Sequence, residues 1–363
     1  MSLRAVHAER AHSAPDWSRY TAEALAGRLP RFDHCLNLFD RFGMVQFARG
    51  AVRDLTSGYC LDDNARALIV ATLALALKQD DQDAAAIGRA ALRFVETSQR
   101  ADGAFHNLMD EHGDFTDEIG SPDSIGRAAW ACGVTMSLCP RGIWREAVTL
   151  VLERSLPHLR DLEGIRPRGY ALLGLCHAAK SLPQVRPQVD ELALDLASAF
   201  EANASDEWPW WEPELTWGNG RLPEAMLRAF EVTGEQRYRD IGMRSLNFLA
   251  SVTQPQDTFL PIGNDGWYVR GKRRPLYDQQ PIEACGMVDA WLAAAKVTAD
   301  SGYRDRALRT FEWFFGNNSD GLMVAHPQTG GCCDGLKHGS LNQNMGAEST
   351  LSYLHAHLSI AHG

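Results

Sequence analysis

No stretch of the chain reaches the roughly 18 consecutive apolar residues that a membrane-spanning helix requires, so no membrane association is expected. The N-terminal segment MSLRAVHAERAHSAPDW also lacks the apolar core of a signal peptide. The eight cysteines include no CxxC pair; only Cys332 and Cys333 are adjacent, and the others are scattered. That pattern supports neither a disulfide framework nor a zinc site, and a reducing cytoplasm is the expected compartment. No HExxH occurs, and neither Cys176 with His177 nor Cys332 with Cys333 completes a ligand set, so no metal and no cofactor is expected. Basic clusters are scarce as well. With a formal net charge of -10 and one concentrated basic run, Arg270, Lys272, Arg273 and Arg274, the composition argues against nucleic-acid binding. The run itself reads as a solvated loop, or as an anion contact at a pocket rim.

What the sequence does contain is apolar residue in globular proportion, 45% of 363 residues, with 23% charged, enough for a sizeable core. Six segments share one pattern, a polar or Gly-containing start that runs into a small-residue apolar helix: GYCLDDNARAL from Gly58, GSPDSIGRAAW from Gly120, IRPRGYALLGL from Ile165, WGNGRLPEAML from Trp217, DQQPIEACGMV from Asp278 and LNQNMGAESTL from Leu341. Their spacing leaves room for one further helix between each pair, and the intervening stretches carry the polar stripe of an ordinary amphipathic helix; the first of these is expected at about 31–40. Helices apolar nearly all round belong inside and striped ones outside. The expected fold is therefore all-α, a closed ring of six helical hairpins with about twelve helices. It forms one domain over 1–363, with residues 1–20 as an N-terminal extension.

Connections leaving an inner helix are short. Those entering one are long, at roughly 42–61, 101–122, 204–220, 251–280 and 318–342, and rich in Trp, Gly, Asp, Glu and Asn. In an alternating ring all the long ones emerge on a single face, where the inner helices begin, and that face is the expected site.

A carboxylate at a helix start has a plain role as a cap. Convergence of several gives them a second one. Asp62 and Asp63 are neighbours that point to different sides of one helix start; Asp63 is the expected functional one, with Asp62 bonded to structure and Tyr59 nearby. Asp123 precedes Arg127 at the spacing of an intrahelical ion pair. In the loop DEWPWWEPELTWGNG, the tryptophans Trp208, Trp210, Trp211 and Trp217 surround Glu212, with Asn219 following. Aromatic rings offer platforms for sugar faces, and a carboxyl beside Trp can act as a general acid, so Glu212 is the expected acid. Gln280 and Glu283 start the fifth inner helix, and Asp334, Asn342, Asn344 and Glu348 precede or start the sixth; amides and carboxylates together suit multiple hydroxyls. His177 reads as a satisfied interior histidine.

These motifs give the chain a resemblance to the six-hairpin glycosidase superfamily of (α/α)6 toroids. GYCLDDNARAL, DSIGRAAWA, EACGMVDAW and NQNMGAEST further resemble a bacterial family of all-α domains found alone or appended to glycosyltransferases, which implies a glycosyltransferase as a partner. The superfamily resemblance implies catalysis by carboxylates at the inner-helix N-termini, here Asp63, Asp123, Glu212, Glu283 and Glu348. The leading expectation is a glycoside hydrolase acting on an oligosaccharide through two carboxylates. Sugar epimerisation or lyase chemistry is the rival, with His106, His112, His338 or Tyr59 as the base. A non-catalytic glycan-binding module is the third reading.

Overall fold

The computed structural model describes Ala24 and residues 28–362; the extension expected over 1–20 lies outside them. Twelve helices follow one another among the described residues: α1 (Asp33–Asn37), α2 (Leu61–Leu77), α3 (Gln82–Ser98), α4 (Pro122–Leu138), α5 (Gly142–Arg160), α6 (Ile165–Ala178), α7 (Arg186–Asn203), α8 (Arg221–Thr233), α9 (Gln236–Thr253), α10 (Pro281–Thr298), α11 (Gly302–Phe311) and α12 (Ala347–His362). The even-numbered helices are the inner set. Each packs on the next, and α12 returns to α2, closing the ring. The result is an (α/α)6 toroid.

Inner helices are buried on nearly every side, as their composition requires; α10 keeps fourteen of its eighteen residues buried. Small residues let the ring close tightly. A methyl group at Gly133 of α4 would lie 2.0 Å from the carbonyl oxygen of Gly174 in α6, so neither backbone could approach so closely with a side chain there. The first outer helix is shorter than its expected ten residues, because Phe39 pairs with Met44 and the chain turns back.

Five of the six connections into inner helices are long, and they lie on one face; the link into α6 spans only 161–164. Short ribbons stitch these loops together. Tyr59–Cys60 runs antiparallel to Leu108–Met109, Glu214–Leu215 to Tyr268–Val269, and Gln279 bridges Leu336 beside the hairpin Gly335–Lys337 with Ser340–Asn342. Each ribbon joins loops that enter different inner helices, so the face is a connected wall rather than a set of independent flaps. All eight cysteines are free and buried, and no described helix is long and apolar enough to cross a membrane.

Candidate functional site

A cavity of about 660 Å³ opens at the N-terminal ends of the inner helices, a size suited to a small ligand. Among the described residues six carboxylates line it: Asp62, Asp63, Asp123, Asp278, Asp334 and Glu348. Two arginines, Arg66 and Arg127, are the cationic members of the wall. Among the described residues neither histidine nor tyrosine takes part in the lining.

The carboxylates at the start of α2 do not cap it: the N-cap is Cys60, which makes no side-chain capping bond, and Asp62 and Asp63 lie in the first turn with side-chain partners of their own. Asp63 accepts from Arg66 Nη1 at 2.7 Å and from the Cys60 thiol at 3.1 Å. Burial pushes its carboxyl up to about 6, against the pull of Arg66, with Glu348 adding to the rise. Asp62 is less buried and contacts Arg127 Nε at 3.1 Å. The expected division, one aspartate facing the site and the other bonded to structure, is replaced by two cavity-lining aspartates that are both ion-paired.

The intrahelical pair expected between Asp123 and Arg127 is absent, because Arg127 reaches across to Asp62 on the neighbouring inner helix and lies 4.2 Å over the Tyr170 ring. Nor is Asp123 the cap of α4. Ser121 takes that role, accepting from Ser124 N at 3.2 Å. Asp123 is left in the cavity wall without an ion-pair or hydrogen-bond partner among the described residues.

The tryptophan loop departs most from expectation. Trp208, Trp210 and Trp211 are buried, not exposed platforms: Trp208 packs on Phe248 and Tyr268, and Trp211 donates its indole N–H to Leu196 O at 2.8 Å. They fasten the loop onto α7 and α9. Trp217 alone of the four lines the cavity, and it is 37% exposed. Glu212 does not line it; Arg166 Nη1 donates to it at 2.7 Å, and the same arginine donates from Nε to Trp217 O at 2.7 Å. Glu212 therefore holds the arginine that supports Trp217.

Other expected residues divide similarly. Glu283 is buried and accepts from Gly218 N and from Asn219 Nδ2, so Glu283 and Asn219 pin the tryptophan loop to α10 instead of facing the cavity. Tyr59 is buried with its hydroxyl donating to Asp40 at 2.6 Å. Asn344 accepts from Gly50 N and stands outside the wall, while Gln280, Asn342, Asp334 and Glu348 belong to it. His106 is stacked on Phe115, and His112 and His338 are exposed elsewhere. Of the basic run, Arg270 bonds Ser205 and Arg274 bonds the carbonyls of Val252 and Leu260; none of the four basic residues lines the cavity.

Sequence reading missed Asp278, Asn264 and Trp267, all in the wall. Asp278 stands two residues before Gln280, the N-cap of α10, whereas Asp62 and Asp63 lie inside the first turn of α2, so the search for carboxylates at helix starts passes over it.

A second cavity, about 590 Å³, lies at the opposite mouth, where the inner helices end. His177 lines it instead of sitting satisfied in the interior, and burial holds its imidazole down to about 3. Between the two mouths, Cys285, Asp289 and His355 bring ligand atoms within 4.8 Å of one another. Arg221 occupies that space, 2.6 Å from Asp289 and 3.2 Å from the Cys285 sulfur, so the cluster is an ion-pair network. The carboxylate-lined mouth is the candidate site.

No protein-family model and no curated protein matches the chain. Solved structures do. The chain is similar to cellobiose 2-epimerase from Bacillus thermoamylovorans, at 10% identity over 92% of this chain and 95% of that one, with a TM-score of 0.70. It is also similar to an inactive variant of an α-1,6-mannanase of Salegentibacter sp. in complex with α-1,6-mannotetrose, at 13% identity over 95% and 99%, with a TM-score of 0.61. A cellulase of C. cellulolyticium in complex with cellobiose matches at 11% identity over 88% and 87%, TM-score 0.60. At such identities the likeness establishes the (α/α)6 fold, which hosts both hydrolases and epimerases.

Proposed function

We propose that the chain is a glycoside hydrolase that cleaves a neutral oligosaccharide with a pair of cavity carboxylates. The observation that supports this reading is the composition of the wall: among the described residues, six carboxylates and no imidazole or phenol. Glycosidic cleavage needs one carboxyl group to protonate the leaving oxygen and another carboxylate to activate water or attack the sugar. Epimerisation needs a histidine or tyrosine base; among the described residues the nearest, Tyr170 and His355, line a small pocket that adjoins this wall, where Arg127 covers the Tyr170 ring and Asp289 holds His355. The mannanase neighbour is an inactive variant in which two consecutive aspartates are replaced by alanine, a parallel within the same fold to the adjacent Asp62 and Asp63.

Glu212 leaves the acid role, since Arg166 holds it away from the cavity. Asp63, Asp123 and Glu348 line the cavity together with Asp278 and are the carboxylates from which the pair is drawn, with Asp62, Arg127, Gln280, Asp334, Asn342 and Trp217 beside them for sugar hydroxyls and ring faces. The basic run lies off the wall, and the wall arginines Arg66 and Arg127 are paired with its own carboxylates, which favours a neutral sugar. A glycosyltransferase partner, suggested by the motif resemblance, is consistent with this reading, because such an enzyme makes the bonds that this site would cleave.

The test is incubation of the protein with a panel of α- and β-linked oligosaccharides, following reducing ends and anomeric protons by NMR. Turnover that is lost in Asp123→Asn and in a second cavity-carboxylate variant, Asp63→Asn or Asp278→Asn, supports the reading. Saturable binding without turnover by the wild type overturns it in favour of a glycan-binding module.

A further inference from the structure

Among the cavity carboxylates, most are already engaged. Asp63 and Glu348 share Arg66, Asp62 contacts Arg127, and Asp334 accepts from Gly346 N at 2.8 Å. Two are not. Asp123 has no partner among the described residues, and Oδ1 of Asp278 is buried with no hydrogen-bond donor. In a ring of six inner helices, α4 is the second and α10 the fifth, so Asp123 at the start of α4 and Asp278 just before α10 stand on opposite sides of the cavity.

Asp278 is held firmly. Its carbonyl accepts from Asn264 N at 3.0 Å, and the next residue, Gln279, exchanges two backbone hydrogen bonds with Leu336, at 3.0 and 2.9 Å. Gly335 makes room for the carboxyl: a Cβ there would lie 2.6 Å from Oδ1. A buried carboxylate oxygen without a donor is costly when charged and tolerable when the group is a neutral acid. Burial, with the negative neighbours Asp334 and Asp265, raises the Asp278 carboxyl above its ordinary range, and Lys337 only partly opposes this.

Resting on the hydrolase reading above, we infer that Asp278 is the proton donor of the reaction and Asp123, across the cavity, the base that activates water. The Asp278 proton passes to the glycosidic oxygen as the bond from that oxygen to the anomeric carbon breaks, and the electron pair leaves with the oxygen. Water attacks the anomeric carbon from the Asp123 side and gives its proton to Asp123. One water is consumed, a reducing end and a hydroxyl are released, and proton exchange with solvent resets the pair. Attack from the face opposite the departing oxygen inverts the anomeric configuration.

The experiment compares wild type, Asp278→Asn and Asp123→Asn on α- and β-linked gluco- and manno-oligosaccharides and on the matching glycosyl fluorides, whose leaving group needs little protonation. Asp278→Asn is expected to lose about 10²- to 10⁴-fold in kcat on oligosaccharides while staying within about tenfold on the fluoride. Asp123→Asn is expected to lose both, and NMR of the wild-type product is expected to show inversion. Unfolded variants are recognised by their far-UV circular dichroism and melting curves; in that case Asp278→Glu, which keeps the acid, is expected to retain part of the oligosaccharide activity. Equal losses on both substrates, or unchanged activity, in folded Asp278→Asn would overturn the assignment while leaving the hydrolase reading intact. A wild type that cleaves neither substrate would sink the hydrolase reading, and this assignment with it.

Discussion

Arg66 Nη2 lies 2.6 Å from Glu348 Oε2, a contact between the first and last inner helices across 282 residues of sequence. The same guanidinium holds Asp63 at 2.7 Å through Nη1. The two halves of this bridge differ in environment: the Asp63 side chain is 7% exposed and the Glu348 side chain 43%. An exposed pair contributes little, about 0 to 1 kcal/mol. Removing one partner from a buried pair leaves an uncompensated charge and costs roughly 3–5 kcal/mol.

Arg66→Met is therefore expected to destabilise the fold several-fold more than Glu348→Gln. Chemical denaturation of the two variants against wild type reads the difference directly. Equal, small losses would mean that Asp63 does not depend on Arg66 for its place in the fold.

A second prediction concerns pH. His355 Nε2 lies 3.1 Å from Asp289 Oδ2 in the centre of the ring, where Arg221 also contacts Asp289. Burial works against the charged imidazole, but the Asp289 charge outweighs it and raises His355 to about 10. Burial opposes the carboxylate too, and His355 with Arg221 overcome it, so Asp289 is held below the usual carboxylate range. The sign follows from linkage. The histidine contribution is full below its unfolded value near 6.5 and is lost as pH rises through about 10. The aspartate contribution is present above the usual carboxylate range and is lost as pH falls through its lowered value. His355→Gln is expected to lower the stability most in weakly acidic to neutral buffer, by less than the roughly 3–5 kcal/mol of a fully broken pair, because Arg221 stays on Asp289, and denaturation across a pH series reads it. The deficit should shrink as pH approaches and passes 10. A deficit independent of pH between 6 and 10 would show that packing, not charge, is what the histidine supplies.

The alternation of inner and outer helices and the single face of long loops were legible because they are carried by period and length, which are local properties. Partner choice was not. Arg127 sits one turn after Asp123 on α4, yet it pairs with Asp62 on α2, since the ring brings the two helix starts side by side and the side chain can reach either. The tryptophan loop misled for a related reason: Trp208 and Trp211 find partners on α7 and α9, and nothing within DEWPWWEPELTWGNG states that those helices lie beneath it. Asp278 was overlooked because interest in YDQQPIEACG fell on the amides and Glu283, whereas Glu283 is spent on Gly218 and Asn219. Carboxylates that lie near inner-helix starts thus sort into structural and free ones only after the loops are folded against one another.

The remaining aromatic wall gives the last prediction. Trp217 and Trp267 come from different loops, line the cavity together, and have ring centroids 6.1 Å apart. Arg166 supports Trp217 from behind, its guanidinium carbon 4.8 Å from the ring centroid, and Glu212 fixes that arginine. A ring pair so placed offers an apolar face to a sugar, with each contact contributing about 0.5–1.5 kcal/mol. Trp217→Ala and Trp267→Ala are each expected to raise KM, or weaken binding measured by fluorescence quenching, by about 2- to 12-fold at that energy. Trp211→Phe, a change in a buried ring, is expected to lower the melting temperature and leave KM unmoved. Glu212→Gln should act in the same direction as Trp217→Ala and more weakly, because it loosens the support and keeps the ring. If both cavity tryptophans can be removed with loss of thermal stability alone, the rings are part of the wall and not of the sugar-binding surface.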